Sequence, residues 1–301
     1  MPLSKLNNPI YWLWRNIKEQ SKVFPKMSDL SNLADTARIR HIQWLHESGD
    51  CRNPDNLAGE LMTSKVRKEC FKLNSEAIAK MRKNPYYYYL VARTKFYDQL
   101  LLNAVATGVH RILILGAGFD TRLYRFGEQL AKRGIEVAEC DQPDAVEIKQ
   151  KLAKQLPYSE RVRYLSIDLN NQNSWNGLMD WLDTENTCTT LIFAEGVSPY
   201  VDSSKFLSFL ANIASQISSD SLLAYDFKRV GARDDFGVTE DVRSPFRLPL
   251  NKELIKEKHT SLGFTQVSFI SSLELMQTYI PSWDKELSPL FDEDALLKIS
   301  R

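Results

Sequence analysis

The chain has 301 residues, 43% hydrophobic and 26% charged, enough to bury a full core in one large domain or in one domain with an appendage. Its 39 Lys and Arg nearly cancel its 38 Asp and Glu; the net charge of +1 excludes a global pull toward nucleic acid or an anionic membrane and leaves a small molecule as the expected partner. No apolar run reaches the roughly 18 residues that a membrane span requires, and the four cysteines and four histidines form no CxxC, HxxxH or HExxH pattern, so reduced thiols, no metal site and a cytoplasmic location are expected.

The N-terminal run Pro9-Ile10-Tyr11-Trp12-Leu13-Trp14 is broken by Arg15 and Lys18 before it could form a signal-peptide core, and reads as an amphipathic segment packed on the body or lying over a substrate. Helices are expected over 33–47, 75–84, where Ser75 is the N-cap, and 87–106, which Gly108 stops. Asn53-Pro54 and Asn84-Pro85 are turns between them.

Beyond Gly108 short apolar runs alternate with helical stretches. Strands are expected at Arg111–Leu115, Ile135–Cys140, Val162–Ile167, Thr190–Ala194 and Leu222–Asp226, with helices at about 121–133, 143–155, 172–183 and 203–217 between them. A polar connection over 227–250 leads to a helix at 251–262 and a strand at Phe264–Ile270; the Ala295–Ser300 run suits a strand or a helix. This order predicts an α/β fold, a doubly wound, mostly parallel Rossmann-like sheet over 108–301 with a substrate-side insertion at 227–250 and an N-terminal helical cap over 1–107.

The first strand runs straight into Gly116-Ala117-Gly118-Phe119-Asp120-Thr121-Arg122 and a helix. Glycines at such a turn let the backbone reverse sharply and let a ligand approach it closely. A dinucleotide fingerprint would place a third glycine where Thr121 stands; a cofactor without a diphosphate does not need it. Asp141, 25 residues beyond Gly116 at the second strand end, can accept from ribose hydroxyls, and Asp168 with Leu169 at the third can meet an adenine amino group and ring edge. Glu195 ends the fourth strand. Ligands of open α/β sheets sit at these carboxyl ends.

Four runs in order, Arg93-Thr94-Lys95-Phe96-Tyr97-Asp98, Ile114–Arg122, Glu139-Cys140-Asp141-Gln142-Pro143 and Ala194-Glu195-Gly196-Val197-Ser198-Pro199-Tyr200, resemble the leucine carboxyl methyltransferase family. The resemblance covers roughly residues 87–226, more faintly 34–62, and is closest to the bacterial polyketide-tailoring O-methyltransferases, the microcystin type among them. It implies a class I methyltransferase fold and S-adenosyl-L-methionine as cofactor. Arg93 then holds the cofactor's methionine carboxylate, Gly116 and Gly118 underlie the methionine portion, Asp141 takes the ribose, Asp168 and Leu169 the adenine, and Glu195 stands beside the cofactor. Tyr200 falls near the transferred methyl. The chain departs from the pattern at Gln142, where leucine is usual, and at Val197-Ser198-Pro199, which is more polar than usual; both put the substrate in question more than the cofactor.

A carboxylate acceptor needs no base, whereas a hydroxyl must lose a proton. The candidates are Tyr200, Asp226 at the fifth strand end, which could equally be a satisfied loop carboxylate, and His259, in a charged stretch that reads as solvated. The reading is thus O-methylation of a hydroxyl or carboxyl on a small secondary metabolite. A protein C-terminal carboxyl methyltransferase, a nicotinamide oxidoreductase and a non-catalytic binding protein are the alternatives. Tyr200 and Lys205 are too far apart for the Tyr-x-x-x-Lys pair of an oxidoreductase, and a binding protein would have lost Arg93 or Glu195.

Overall fold

The computed structural model describes residues 30–182, 188–232 and 244–301. The Pro9–Trp14 segment and Gly237 lie outside the described residues, as does much of the 227–250 connection. Among the described residues no helix is long and apolar enough to cross a membrane, and no group of three or more His, Cys, Asp and Glu could hold a metal ion.

The chain enters through α1 (Leu30–His46), α2 (Ser64–Phe71), α3 (Ser75–Arg82) and α4 (Pro85–Thr107). Asn84 caps α4 by accepting from Tyr86 N–H, Pro85 opens it with a preset φ, and Gly108 closes it in the left-handed region at φ 86°. Three of the run's four tyrosines belong to packing: Tyr87 and Tyr88 hydroxyls meet Glu47 at 3.0 and 3.4 Å, and Tyr89 lies tilted against Phe291 at 4.8 Å.

From there β1 (Arg111–Leu115), α5 (Arg122–Arg125), α6 (Gly127–Lys132), β2 (Glu136–Asp141), α7 (Pro143–Ala153), β3 (Val162–Ser166), α8 (Asn176–Leu182), β4 (Thr190–Ala194), α9 (Ser203–Gln216) and β5 (Leu222–Arg229) build the doubly wound half. A two-residue β6 (Arg247–Leu248), α10 (Lys252–Thr260), β7 (Gln266–Ser271), α11 (Ser272–Tyr279) and β8 (Asp294–Ser300) complete the chain. The eight-stranded sheet runs β3-β2-β1-β4-β5-β8-β7, with β6 beside β5. Strands β1 to β5 are parallel; β8 is antiparallel to both of its neighbours. This is the α/β class the sequence predicts.

Every residue of β1 and β4 is buried, as befits central strands covered on both faces. Alternate side chains divide into two cores. Ile112, Ile114, Val137, Leu191 and Phe193 pack toward Tyr89, Tyr97 and Leu101 of α4. Leu113, Leu115, Ala138, Ile192 and Tyr225 pack toward Phe206, Phe209 and Ile213 of α9.

The expected elements need four adjustments, and one open choice is resolved. The N-cap of α3 is Asn74, whose side chain accepts from Ala77 N–H, in place of Ser75. The single helix over 121–133 is two, split at Phe126, where the Tyr158 ring closes on Gly127 so tightly that a Cβ would stand 2.5 Å from it. Helix 172–183 begins as a 3-10 turn and becomes α only at Asn176. The C-terminal run is a strand, β8. Helices α2 and α11 carry no counterpart in the sequence reading.

Candidate functional site

The carboxyl end of β1 is the centre of the site. Gly116 takes φ 57°, and a Cβ there would stand 2.4 Å from Val197 Cγ2, so only glycine lets the loop after β4 close on this turn. Ala117 N–H donates to the Cys140 carbonyl at 3.0 Å. Gly118 N–H and Gln142 N–H each donate to one oxygen of Asp141 at 2.7 Å. Burial raises the Asp141 carboxyl above its ordinary value, against the opposing pull of these two amides. At the β3 end Asp168 Oδ1 accepts from Asn170 N–H at 2.9 Å, while Ser174 Oγ and Trp175 Nε1 both donate to the Asp168 carbonyl. Leu169 beside it is buried. Asn170 then bridges to the next loop, donating to the Tyr200 carbonyl at 3.3 Å and accepting from Asp202 N–H at 2.9 Å.

On the other side of β1 the ends of β4 and β5 face helices α1 and α4 through a dense charge network. Glu195 is met by Arg40 at 2.5 Å, Arg122 at 2.7 Å and Arg93 at 3.1 Å. The Arg122 approach to Oε2 is ionic contact without hydrogen-bond alignment. Burial alone would raise the Glu195 carboxyl, but the Arg122, Arg40 and Arg93 guanidiniums outweigh it and hold it well below the usual carboxylate range. Arg93 also reaches Asp226 at 3.3 Å and the Tyr86 hydroxyl at 2.9 Å. Asp226 accepts from Gly196 N–H at 2.7 Å and from the Tyr97 hydroxyl at 3.2 Å, and burial raises its carboxyl despite Arg93. Arg122 is anchored further by Asp98 at 2.8 Å and by Asp120. Arg125 forks onto both oxygens of Asp98 at 2.7 Å, a bidentate pairing.

The structure therefore gathers Arg93, Gly116, Gly118, Asp141, Glu195 and Asp226 around the β2-β1-β4-β5 ends, with Asp168, Leu169 and Tyr200 on the adjoining loops. His259 is elsewhere, and the solvated placement read from its charged neighbours is corrected. It is buried against α10 and β5, with its ring nitrogens 2.5 Å from the Tyr225 hydroxyl and 2.5 Å from the Ile255 carbonyl. Burial holds its pKa below the ordinary histidine value. Ile255 and His259 are four apart on one helix stripe, a spacing that would have marked the buried face. Arg40, absent from the sequence reading, belongs to the site. Nothing local signals it, because its partner Glu195 is 155 residues away. Arg122 stood within the quoted motif without an assigned role.

Comparison with known proteins identifies the family. A family model described as leucine carboxyl methyltransferase matches residues 47–214, more than half of the chain. A protein of Streptomyces avermitilis, provisionally named an S-adenosyl-L-methionine-dependent methyltransferase, is 26% identical over 223 residues, which span 73% of this chain and 76% of the relative. A Mycobacteroides abscessus protein of the same provisional name is 29% identical over 144 residues, 47% of this chain and 46% of the relative. A third, from Streptomyces coelicolor, is 28% identical over 167 residues, 54% of this chain and 57% of its own length. The chain thus matches about half the length of the last two relatives. With the model spanning both flanks of the glycine turn and the loop after β4, the chain belongs to the leucine carboxyl methyltransferase family.

Proposed function

We propose that this protein is an S-adenosyl-L-methionine-dependent O-methyltransferase acting on a hydroxyl or carboxyl of a small secondary metabolite. One observation carries the choice of cofactor. The helix after the glycine turn already has an anion at its start: Asp120 Oδ1 accepts from Arg122 N–H at 2.7 Å, and Thr121 Oγ1 donates to Asp55 at 2.5 Å. A diphosphate would meet this carboxylate where a dinucleotide fold offers free amides. A cofactor with no phosphate meets no such conflict.

The donor set fits S-adenosyl-L-methionine in sheet order. Asp141, on the β2 side of the turn, suits the ribose hydroxyls, and Asp168 with Leu169, at the β3 end, the adenine. On the β4 side, Arg40 Nε is a buried donor without a partner. Arg93 has committed three groups, to Glu195, Asp226 and the Tyr86 hydroxyl, and a guanidinium carries about five N–H. The two arginines suit the methionine carboxylate, and Glu195 its ammonium. Arg40 reaching Glu195 from α1 also supports the reading of residues 1–107 as a helical cap over this site.

When bound, the cofactor supplies a sulfonium methyl that is displaced in line, so this chain's residues chiefly position the two reactants. Of the residues considered as a base, Asp226 is engaged by Arg93, Tyr97 and Gly196, and His259 by Tyr225 and Ile255. Asp226 is better read as the holder of Arg93. Tyr200, half-buried on the loop after β4, falls where the family resemblance puts an aromatic side chain near the transferred methyl. A carboxyl acceptor would need none of them.

The test is calorimetry with S-adenosylhomocysteine and with NADH on the wild type and on Asp141→Ala. We expect micromolar binding of the former, weakened about tenfold in the variant, as the loss of a charged hydrogen-bond acceptor implies. Binding of NADH alone would overturn the reading. Methyl transfer to a phosphatase tail peptide but to no small hydroxy or carboxy acid would move the acceptor to a protein C-terminus.

A further inference from the structure

Beneath the glycine turn lies a buried ion pair that the proposed cofactor site leaves unused. Glu139 on β2 and Lys149 on α7 are 1% and 2% exposed, with Nζ 2.8 Å from Oε2. The same ammonium donates to the Ala117 carbonyl at 3.3 Å and sits 5.8 Å over the Tyr124 ring. That carbonyl also accepts from Asp120 N–H at 2.8 Å, the bond that closes the turn. Glu139 Oε2 takes a second donor, the Tyr124 hydroxyl at 3.1 Å, which in turn lies 2.7 Å from the Tyr164 hydroxyl.

We propose that Lys149 and Glu139 are positioning residues, a prop that fixes the Ala117 carbonyl and with it the Gly116–Asp120 backbone on which S-adenosyl-L-methionine rests. The proposal depends on the cofactor reading above only for its ligand; the prop itself is a property of the free protein. Its physical case is the placement of the ammonium. A buried ion pair is a poor source of stability, since apolar residues of like volume often serve as well or better. This one, however, spans α7, β2 and the turn, and each of its contacts constrains one of them. An apolar side chain at 149 could fill the space but could not hold a carbonyl.

The charge balance around the prop lies close to neutrality. Both donors to Glu139 converge on Oε2, and Oε1 is buried with no partner. Burial accordingly pushes the Glu139 carboxyl up to about 7, with Lys149 pulling the other way. The groups facing the pair are Tyr124 from α5, Tyr164 from β3, Asp120 from the turn, whose carboxyl Lys149 helps to lower, and Asp141 at the end of β2. When Glu139 takes a proton, Lys149 keeps its carbonyl but loses its counter-charge. Grip on the turn should then differ between pH 6 and pH 8.

The experiment compares wild type, Lys149→Met and Glu139→Gln by S-adenosylhomocysteine calorimetry at pH 6 and 8, and by amide hydrogen exchange over 116–120 in the unliganded protein. In Lys149→Met we expect the Asp120 amide to exchange about tenfold faster and affinity to fall about tenfold, the loss of one charged hydrogen bond. The share of the wild-type pH dependence of affinity that Glu139 sets should be missing in Glu139→Gln, so the change from pH 6 to pH 8 should be smaller there. Unchanged exchange and affinity in Lys149→Met would reduce the pair to core filling and overturn the proposal. Should Lys149→Met not fold, the near-isosteric Glu139→Gln decides: unchanged exchange at the Asp120 amide together with unchanged affinity at both pH values overturns it. Should wild type bind no S-adenosylhomocysteine, the cofactor reading fails, and exchange at Asp120 still tests the prop.

Discussion

Two buried glutamates stand on the two sides of the glycine turn, and the fold treats them in opposite ways. Glu195, after β4, is ringed by Arg40, Arg93 and Arg122, contributed by α1, α4 and α5. Glu139, on β2, has Lys149 and a tyrosine hydroxyl, both on one oxygen. Burial works against the charge in both cases. Three guanidiniums overcome it and hold Glu195 well below the usual range, whereas Lys149 does not, and Glu139 rises to about 7. Depth alone therefore does not set the protonation of a core carboxylate; the number of cations and the oxygens they reach do. The contrast also divides labour. The permanently charged side is suited to gripping a zwitterionic amino-acid group, and the titrating side lies under the backbone.

Breaking the arginine side should have the largest effect. Glu195→Ala leaves three guanidiniums short of a carboxylate in a desolvated space, and removing one partner of such a set is worth about 3–5 kcal/mol. A urea midpoint should fall accordingly, with Glu195→Gln losing less because its carbonyl still accepts. A loss below about 1 kcal/mol, the range of exposed pairs, would mean that Asp98, Asp120 and Asp226 already balance the arginines and that Glu195 is not their hub.

Next in size is the turn between the two clusters. Gly116→Ala imposes a Cβ 2.4 Å from Val197 Cγ2 at φ 57°, two penalties of different origin. Overpacking and backbone strain together should destabilise by about 2–3 kcal/mol. Adding Val197→Ala removes the clash and leaves the strain, so the double variant should recover more than half of the loss relative to Val197→Ala alone. No recovery would assign the whole effect to φ.

Much of this arrangement was open to reading in the sequence, for reasons tied to individual residues. The apolar Ile112–Leu115 run before two glycines specifies a buried strand and its turn, and Gly108 and Pro143 mark helix ends by their backbone preferences. Carboxylates at strand ends place Asp141, Asp168 and Glu195 by topology alone. What stayed hidden is set by tertiary contact. Helix α2 is charged on most faces and buries only Cys70, so no apolar period announces it. Helix α11 follows β7 without a break, its Ser271–Glu274 capping box standing where the strand ends. Arg40 and Lys149 gain their roles from partners on other elements, which local pattern cannot supply. The same holds for the close seat of the Tyr158 ring on Gly127, beside the break at Phe126.

The smallest effect tests the titrating side directly. The Glu139 carboxyl is raised from 4.5 to about 7. Between those values the unfolded chain has released the proton that the native state still holds, so stability falls as pH rises through this window and is level above it. Glu195 is shifted the other way, and its contribution is lost only as the solution becomes strongly acid. Asp35 and Asp294, both raised to about 6, add slopes of their own in the same window. They are present equally in wild type and in Glu139→Gln, so the difference between the two proteins isolates one carboxyl. From pH 5 to pH 7 wild type should lose about 1–2 kcal/mol relative to Glu139→Gln, a unit of pKa being worth about 1.4 kcal/mol. Urea unfolding at pH 5, 6, 7 and 8 measures it. A constant difference across the series would show that Lys149 keeps Glu139 ionised throughout, and would place the two glutamates in the same class.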